Sequence, residues 1–287
     1  MDKLKILVCC HKADPNIRTQ KPYLPIQVGK AIHPDLDLGF ICDNTGDNIS
    51  EKNPSFCEYT ALYWGWKNLK DVEYCGLCHY RRYFDLDINE NNIDSLLSAS
   101  DILVIKQNSP MLSKKERLNN LVWVTSAEDA YIYLDTVLSM YPQYKQEIID
   151  YFYDSKLSIP FSMFIASKKI YDEYCEFIFP VLFEVEKKMK PHGYARQKRA
   201  IGYFGEFSLG LFIMCKKLKY RAIPMKSFGS ARGGQIHQSI KSAIKWQIRK
   251  FLWTLLDRLD KEPTYLTCGD ANKVGFKQDG IELKVLK

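Results

Sequence analysis

Residues 5–12 read KILVCCHK, an apolar run that empties into a histidine and a lysine. An unbroken run of this length, without polar alternation, fits a strand buried on both faces, as in a parallel sheet. Outward from it, residues 21–34 (KPYLPIQVGKAIHP) are broken by prolines and read as a connection. Residues 38–42 give a second strand, and DNTGDN at 43–48 is a dense turn signal. A helix is expected from Phe56 to Leu69, with Ser55 as N-cap and Glu58 as its capping-box partner. A third strand lies within 71–78 and runs into HYRRYFD; a helix over 88–99 and a strand over 101–105 follow. Beyond these come a helix-rich, aromatic stretch at 126–153, a strand at 159–166 and a helix over 169–188.

Strands alternating with helices predict an α/β fold, a Rossmann-type, mainly parallel sheet flanked by helices. Such sheets bind ligands at loops beyond the carboxyl ends of their strands. That rule selects three polar loops: Cys10–Lys12, Asp43–Asn48 and His79–Phe84.

The chain has 287 residues, 46% of them hydrophobic, which is enough to bury a large core. A net charge of +7 suits an anionic ligand or a membrane surface, and lacks the dense basic stripe of a nucleic-acid binder. No run reaches the length of a membrane span and no secretory signal opens the sequence, so a cytoplasmic protein is expected. The nine cysteines include a lone C-x-x-C, Cys75 and Cys78, without a second pair to complete a zinc site. They read as reduced core residues.

After Gly233-Gly234 the character changes. Ile240, Ile244, Ile248, Phe251, Leu252, Leu255, Leu256 and Leu259 recur at helical spacing, interleaved with Lys241, Lys245, Arg249 and Lys250. Trp246 and Trp253 lie along one edge of the stripe. The expected organisation is therefore a domain over 1–235 and a C-terminal basic amphipathic helix and tail over 236–287. Residues 239–260 would rest on an anionic membrane or, alternatively, pack against the core.

Several groups could carry chemistry. Arg81 and Arg82, flanked by Tyr80 and Tyr83 and preceded by His79, could clamp a diphosphate, because guanidinium forks match phosphate oxygens. A tyrosine there could stack on a base or bind a sugar hydroxyl; a solvated loop with incidental arginines is the alternative. The turn Asp43-Asn44-Thr45-Gly46-Asp47-Asn48 could bind a ribose or base, or serve turn geometry alone. Glu206 lies where a basic loop containing Arg196, Lys198 and Arg199 becomes an apolar helix. It could cap that helix or act as a base toward an acceptor hydroxyl, with the cations neutralising a leaving phosphate. Asp85 and Asp87 form a weak D-x-D candidate for a divalent metal. No G-x-S-x-G, Walker A or G-x-G-x-x-G motif occurs.

In order, KILVCCHK, PYLPIQVGKAI, DNTGDNISEKNPSFCEYTALYWGWKN, GLCHYRRYF, SMFIASKKIYDEYCEFIFPVL and R-x-x-G-x-x-GEFSLGLFI resemble domain of unknown function 4422 over roughly residues 4–225. That family, found among bacterial capsule, exopolysaccharide and O-antigen genes, is similar to GT-A glycosyltransferases. It includes transferases using UDP-galactofuranose or another UDP-galactose. The resemblance implies a donor site lined by His11, Lys12, Asp43–Asn48 and Tyr80–Arg82, with Glu58 and Trp64 close by, built without a D-x-D at the strand end. Ser162 stands where the family commonly has Asn, at a position expected to contact the acceptor or the donor.

The expectation is a glycosyltransferase, probing no nucleic acid and requiring no cofactor, that moves a sugar from a UDP-sugar to a lipid-linked glycan, with inversion. Arg199 joins the donor-binding set and Glu206 is the base. The protein would be peripheral at the inner face of the cell membrane. The rivals are a nucleotidyl- or phosphotransferase, which would need a metal carboxylate cluster, and a membrane-attached scaffold, which would bind no UDP.

Overall fold

The computed structural model describes residues 2–106, 116–155, 157–190 and 197–229, with residues 244–245, 247–249, 251–252 and 255. The chain forms two compact units with interleaved segments. The first comprises Met1–Asn108, Ile159–Phe179 and Lys216–His237; the second comprises Ser109–Ser158, Pro180–Cys215 and Gln238–Lys287. The stretch expected as one domain, 1–235, thus contributes to both.

The first unit holds the sheet. Its strands are β1 (Asp2–Cys10), β2 (Tyr23–Gln27), β3 (Ile41–Cys42), β4 (Val72–His79), β5 (Arg82–Phe84), β6 (Ile102–Ile105), β7 (Phe164–Ser167), β8 (Tyr220–Ile223) and β9 (Met225–Ser227). Among the described residues they make one sheet in the order β3-β2-β1-β4-β7-β6-β8. Strands β3, β2, β1 and β4 are parallel, β7 is antiparallel to both neighbours, and β6 is parallel to β8. The fold is α/β, a mostly parallel sheet flanked by helices, as the alternation predicts.

The apolar run that opened the reading is β1, with Ile6, Leu7, Val8 and Cys10 wholly buried. Burying such a side chain stabilises by about 1.5–3 kcal/mol, so this strand seeds the core on both faces. Gly76 in β4 permits the approach of β7, since a Cβ there would lie 2.8 Å from the Phe164 carbonyl oxygen. Cys75 and Cys78 are buried in β4, three positions apart, so they point to opposite faces and cannot share a metal. Burial pushes the Cys75 thiol up to about 12, and Cys10 likewise. Among the described residues no disulfide joins the cysteines.

Several expectations need correction. The proline-rich connection contains β2, which pairs with β1 from Tyr23 to Gln27. Its Pro25 is tolerated because β3 meets β2 only at Ile26 and Gln27. For the same reason residues 38–40 are loop, held by the buried Gln27, whose amide donates to the Leu36 carbonyl (2.7 Å) and accepts from the Leu38 N–H (3.0 Å). The helix expected from Phe56 is two helices, α1 (Asn53–Phe56) and α2 (Tyr59–Asn68), separated at Cys57 with φ 53°. Ser55 lies inside α1, and Glu58 is the N-cap of α2 without a side-chain capping bond, so no capping box forms. The strand expected over 159–166 begins only at Phe164, because Phe161 and Ser162 both adopt left-handed backbone. The helix expected over 88–99 shortens to α3 (Ile93–Leu97).

The second unit is helical among the described residues: α4 (Glu116–Val124), α5 (Ala127–Met140), α6 (Lys145–Ile149), the later part of α7 (Lys168–Lys188), and α8 (Ala200–Lys216). Ser126 caps α5 by accepting from the Asp129 N–H at 3.0 Å. Tyr133 stacks on Phe204 at 4.7 Å and its hydroxyl lies 2.6 Å from that of Ser208. Arg117 is 1% exposed, its guanidinium 3.7 Å from the centre of the Tyr151 ring. No helix among the described residues is long and apolar enough to cross a membrane.

Candidate functional site

The pairings bring the carboxyl ends of four strands to one edge. Cys42 of β3 pairs with Gln27 of β2, which pairs with Cys10 of β1, and Cys9 pairs with His79 of β4. The loops beginning at His11, Val28, Asp43 and Tyr80 therefore leave the sheet side by side. This is where a parallel sheet presents a ligand site, and it gathers the three loops selected from the sequence.

The Asp43–Asn48 loop spends most of its polar groups on the fold. Asp43 is wholly buried; its carboxylate accepts from the Gly29 N–H (2.9 Å), the Lys30 N–H (3.2 Å) and the Ser50 hydroxyl. Ser50 in turn accepts from the Ala31 N–H at 3.1 Å. The carboxylate thus ties the exit of β3 to the exit of β2. Thr45 accepts from the Trp64 indole N–H at 2.9 Å, and Asp47 accepts from the Tyr63 hydroxyl at 3.1 Å. Trp64 therefore anchors this loop from α2. Asn48 donates to the Gly46 carbonyl at 2.9 Å. Asn44 is exposed.

The loop after β1 is braced as well. Arg18, which the sequence did not single out, lies over the rings of Tyr83 (4.4 Å) and Tyr23 (5.1 Å) and donates to the Tyr23 hydroxyl at 2.8 Å. Asp14, equally unforeseen, pairs with Arg81, 3.4 Å from its Nε. Arg81 also lies 4.7 Å over the Tyr80 ring and donates to the Tyr80 hydroxyl. Tyr80 is 6% exposed and meets the edge of His11 at 5.2 Å, so its ring is covered rather than open to a base. His11 and Lys12 are exposed.

Arg82 differs. It opens β5, opposite His79, and its guanidinium carbon lies 4.3 Å from the centre of the Phe161 ring. The carbonyl of Phe161 is 2.9 Å from His79 Nε2, so that nitrogen carries the proton and donates. Glu58 Oε1 lies 3.9 Å from the same nitrogen, and both side chains are largely buried. Glu58 thus lies by His79, and His79 and Arg82 both meet Phe161, a residue the sequence did not suggest. Phe161 at φ 67° and Ser162 at φ 51° are adjacent non-glycine residues in left-handed backbone. Such conformations cost on the order of 1–3 kcal/mol each and persist where surrounding contacts impose them. Nothing in P-F-S-M announces this; neither residue is a glycine or an asparagine.

Ser162, expected at the acceptor or the donor, is engaged within the fold. Its hydroxyl is wholly buried, 2.6 Å from that of Tyr59, which lies 3.2 Å from the Tyr174 hydroxyl. Burial raises the Tyr59 phenol well above its ordinary range, so it stays neutral. Asp85 and Asp87 are exposed beyond β5, which runs antiparallel to β4 and carries the chain back from the carboxyl edge. Among the described residues, no group of three or more His, Cys, Asp or Glu is placed to hold a metal ion.

In the helical unit, Glu206 lies well inside α8, which starts at Ala200. The expected capping role is thereby corrected: the helix dipole's N-terminal turn is elsewhere, and Glu206 is half-buried in mid-helix. Arg199 is exposed, its guanidinium 5.8 Å from the Tyr203 ring. Lys198 is exposed, and Arg196 lies outside the described residues.

The profile of a family described as Domain of unknown function (DUF4422) matches residues 5–217, most of the chain. The chain belongs to this family. Within DUF4422, the match covers β1 through β7 and ends just after α8. A solved structure, the WbbM bifunctional glycosyltransferase in its apo form, is similar to the chain, with 26% identity and a TM-score of 0.68. The similarity covers 83% of this chain and 48% of that one, so the chain spans about half the length of that protein. The fold of the two is shared. No curated protein sequence matched the chain.

Proposed function

We propose that this DUF4422 protein is a glycosyltransferase of the GT-A type, taking its donor as a UDP-sugar at the carboxyl edge of the sheet. The observation that carries the reading is the arrangement at that edge: Arg82 held on Phe161 beside His79 and Glu58, next to the exposed Lys12 loop. A guanidinium at a strand end can bind a diphosphate through two parallel bonds and stabilise the charge that develops as it departs. The 26% identity with a glycosyltransferase of the same fold supports a sugar-transfer role.

In this reading the sugar is galactofuranose or galactose, the displacement is single and in line, and Glu206 takes the acceptor hydroxyl proton. Arg199 and Lys198 add positive charge for the leaving nucleotide. Cations at the strand end can neutralise the diphosphate, so no metal is required. The acceptor is a lipid-linked glycan at the inner face of the membrane. Residues 239–260 would supply the membrane contact. Their described residues are helical, and Ile244, Ile248, Phe251, Leu252 and Leu255 are all exposed; Trp246 and Trp253 lie outside the described residues.

Titration calorimetry with UDP, GDP, CMP and dTDP tests the donor class. Saturable binding of UDP alone is expected; binding of none would remove the transferase reading and leave a scaffold. Hydrolysis or transfer of UDP-galactose forms, followed with EDTA and with manganese, should survive chelation. Glu206→Gln should retain UDP affinity and reduce turnover by about 10²–10⁴-fold, the contribution of a positioned base.

A further inference from the structure

We propose that Phe161 is a positioning residue for the diphosphate, a platform whose backbone is forced into an unfavourable conformation so that its ring can fix Arg82. The inference rests on the donor-site reading above and assigns a role to a residue that neither the family resemblance nor the motif analysis selected.

Four observations converge on it. Phe161 (φ 67°, ψ 12°) sits in the left-handed region, which a bulky side chain rarely enters unaided. Ser162, also left-handed, doubles the cost. Two independent ties impose the conformation: His79 donates to the Phe161 carbonyl at 2.9 Å, and the buried Ser162 hydroxyl closes a chain through Tyr59 to Tyr174. The ties hold the ring beneath Arg82, 4.3 Å from its guanidinium carbon.

A relaxed, extended backbone at 161 would continue β7 toward its neighbours, as the sequence pattern alone suggests. The left-handed pair instead delays the start of the strand to Phe164 and places Phe161 against the start of β5. An arginine on an aromatic face keeps its N–H edges available for hydrogen bonds, because the face-on contact uses only the π surface of the guanidinium. The contrast with Arg81 is direct: that guanidinium already bonds Asp14 and Tyr80. Arg82 is thus preorganised as a phosphate fork, losing less conformational freedom on binding than a mobile side chain.

The test separates the diphosphate from the nucleoside. Phe161→Leu keeps an apolar side chain of similar bulk and removes the π face, whereas Phe161→Tyr keeps it. Affinities for UDP and for uridine are measured on the full chain by calorimetry, uridine by displacement of UDP. Phe161→Leu should weaken UDP about tenfold, the scale of a partly desolvated cation–π contact, and leave uridine unchanged. Phe161→Tyr should bind both as wild type. Should Phe161→Leu melt below the assay temperature, Arg82→Lys replaces it, since lysine keeps the charge and lacks the planar fork; the same selective loss is expected. UDP binding at the wild-type level in Phe161→Leu, or in Arg82→Lys where it stands in, overturns the platform. So does an equal loss of UDP and uridine, which would mean general support of the site. If the wild-type chain binds no nucleoside diphosphate, the donor-site reading itself fails and the platform falls with it.

Discussion

The Asp43–Asn48 loop and the His79–Arg82 turn leave the same edge of the sheet, and both are rich in polar residues. Their side chains do opposite things. In the first, Asp43, Thr45, Asp47 and Asn48 bond to the protein itself, through Gly29, Lys30, Ser50, Trp64, Tyr63 and Gly46. In the second, one arginine is bound internally to Asp14 while the next rests on an aromatic face. Polar density at a strand end thus does not tell whether its side chains are already engaged within the fold. What distinguishes the two loops is whether neighbouring elements already supply the donors.

The sharpest way to break this contrast is Asp43→Ala. It strips the acceptor from the Gly29 and Lys30 N–H groups and the Ser50 hydroxyl, and should destabilise the protein by about 3–5 kcal/mol in a denaturant titration. A variant of normal stability that has lost only UDP binding would make Asp43 a ligand contact after all. Next, Arg82→Ala should weaken UDP binding by about 10–100-fold, equivalent to about 1.5–3 kcal/mol for charge-assisted bonds, with little change in stability. Arg81→Ala should change it by less than about fivefold, since that guanidinium is engaged by a partly exposed ion pair; the reverse order of effects would exchange the two roles. An effect smaller than that of Asp43→Ala is expected from Gly46→Ala. Gly46 has φ +58° and sits against the Asn68 side chain, so alanine should cost about 1–2 kcal/mol of stability and leave UDP affinity intact. Unchanged unfolding midpoints would show that this loop is less tightly held by α2 than its bonds indicate.

Sequence reasoning succeeded where one physical signal dominated. The β1 run could only be a buried strand, and the strand-end rule then led to the three loops that the pairings align. It failed where two local signals competed. Pro22 and Pro25 argued against β2, yet the neighbouring strand is too short to need the missing N–H. Ser55 and Glu58 have capping-box spacing, yet Cys57 turns left-handed between the helices and Asn53 fastens the break by donating to the Cys57 carbonyl at 2.9 Å. Glu206 looked like a helix start because a basic loop gives way to an apolar run there, whereas α8 already begins at Ala200. Phe161 could not have been found from residue type. Its conformation is imposed by His79, which is distant in sequence, and by a buried hydroxyl chain, and neither leaves a local mark.

The sheet also bears on where the working unit of a DUF4422 protein stops. The family match ends at residue 217, but β8 and β9 lie beyond it. β9 lies antiparallel to β5, pairing Ser227 with Arg82, and the Phe228 N–H bonds the Arg81 carbonyl at 2.9 Å. The strand that opens at Arg82, and the turn residue Arg81 before it, are therefore buttressed by residues that the family boundary leaves out. A fragment cut at the end of the match would keep every motif by which the family is known and lose the support of its arginine strand. This chain trimmed to that boundary should lose the pairing that steadies Arg82, and extending it through Phe228 should restore what the motifs alone cannot hold.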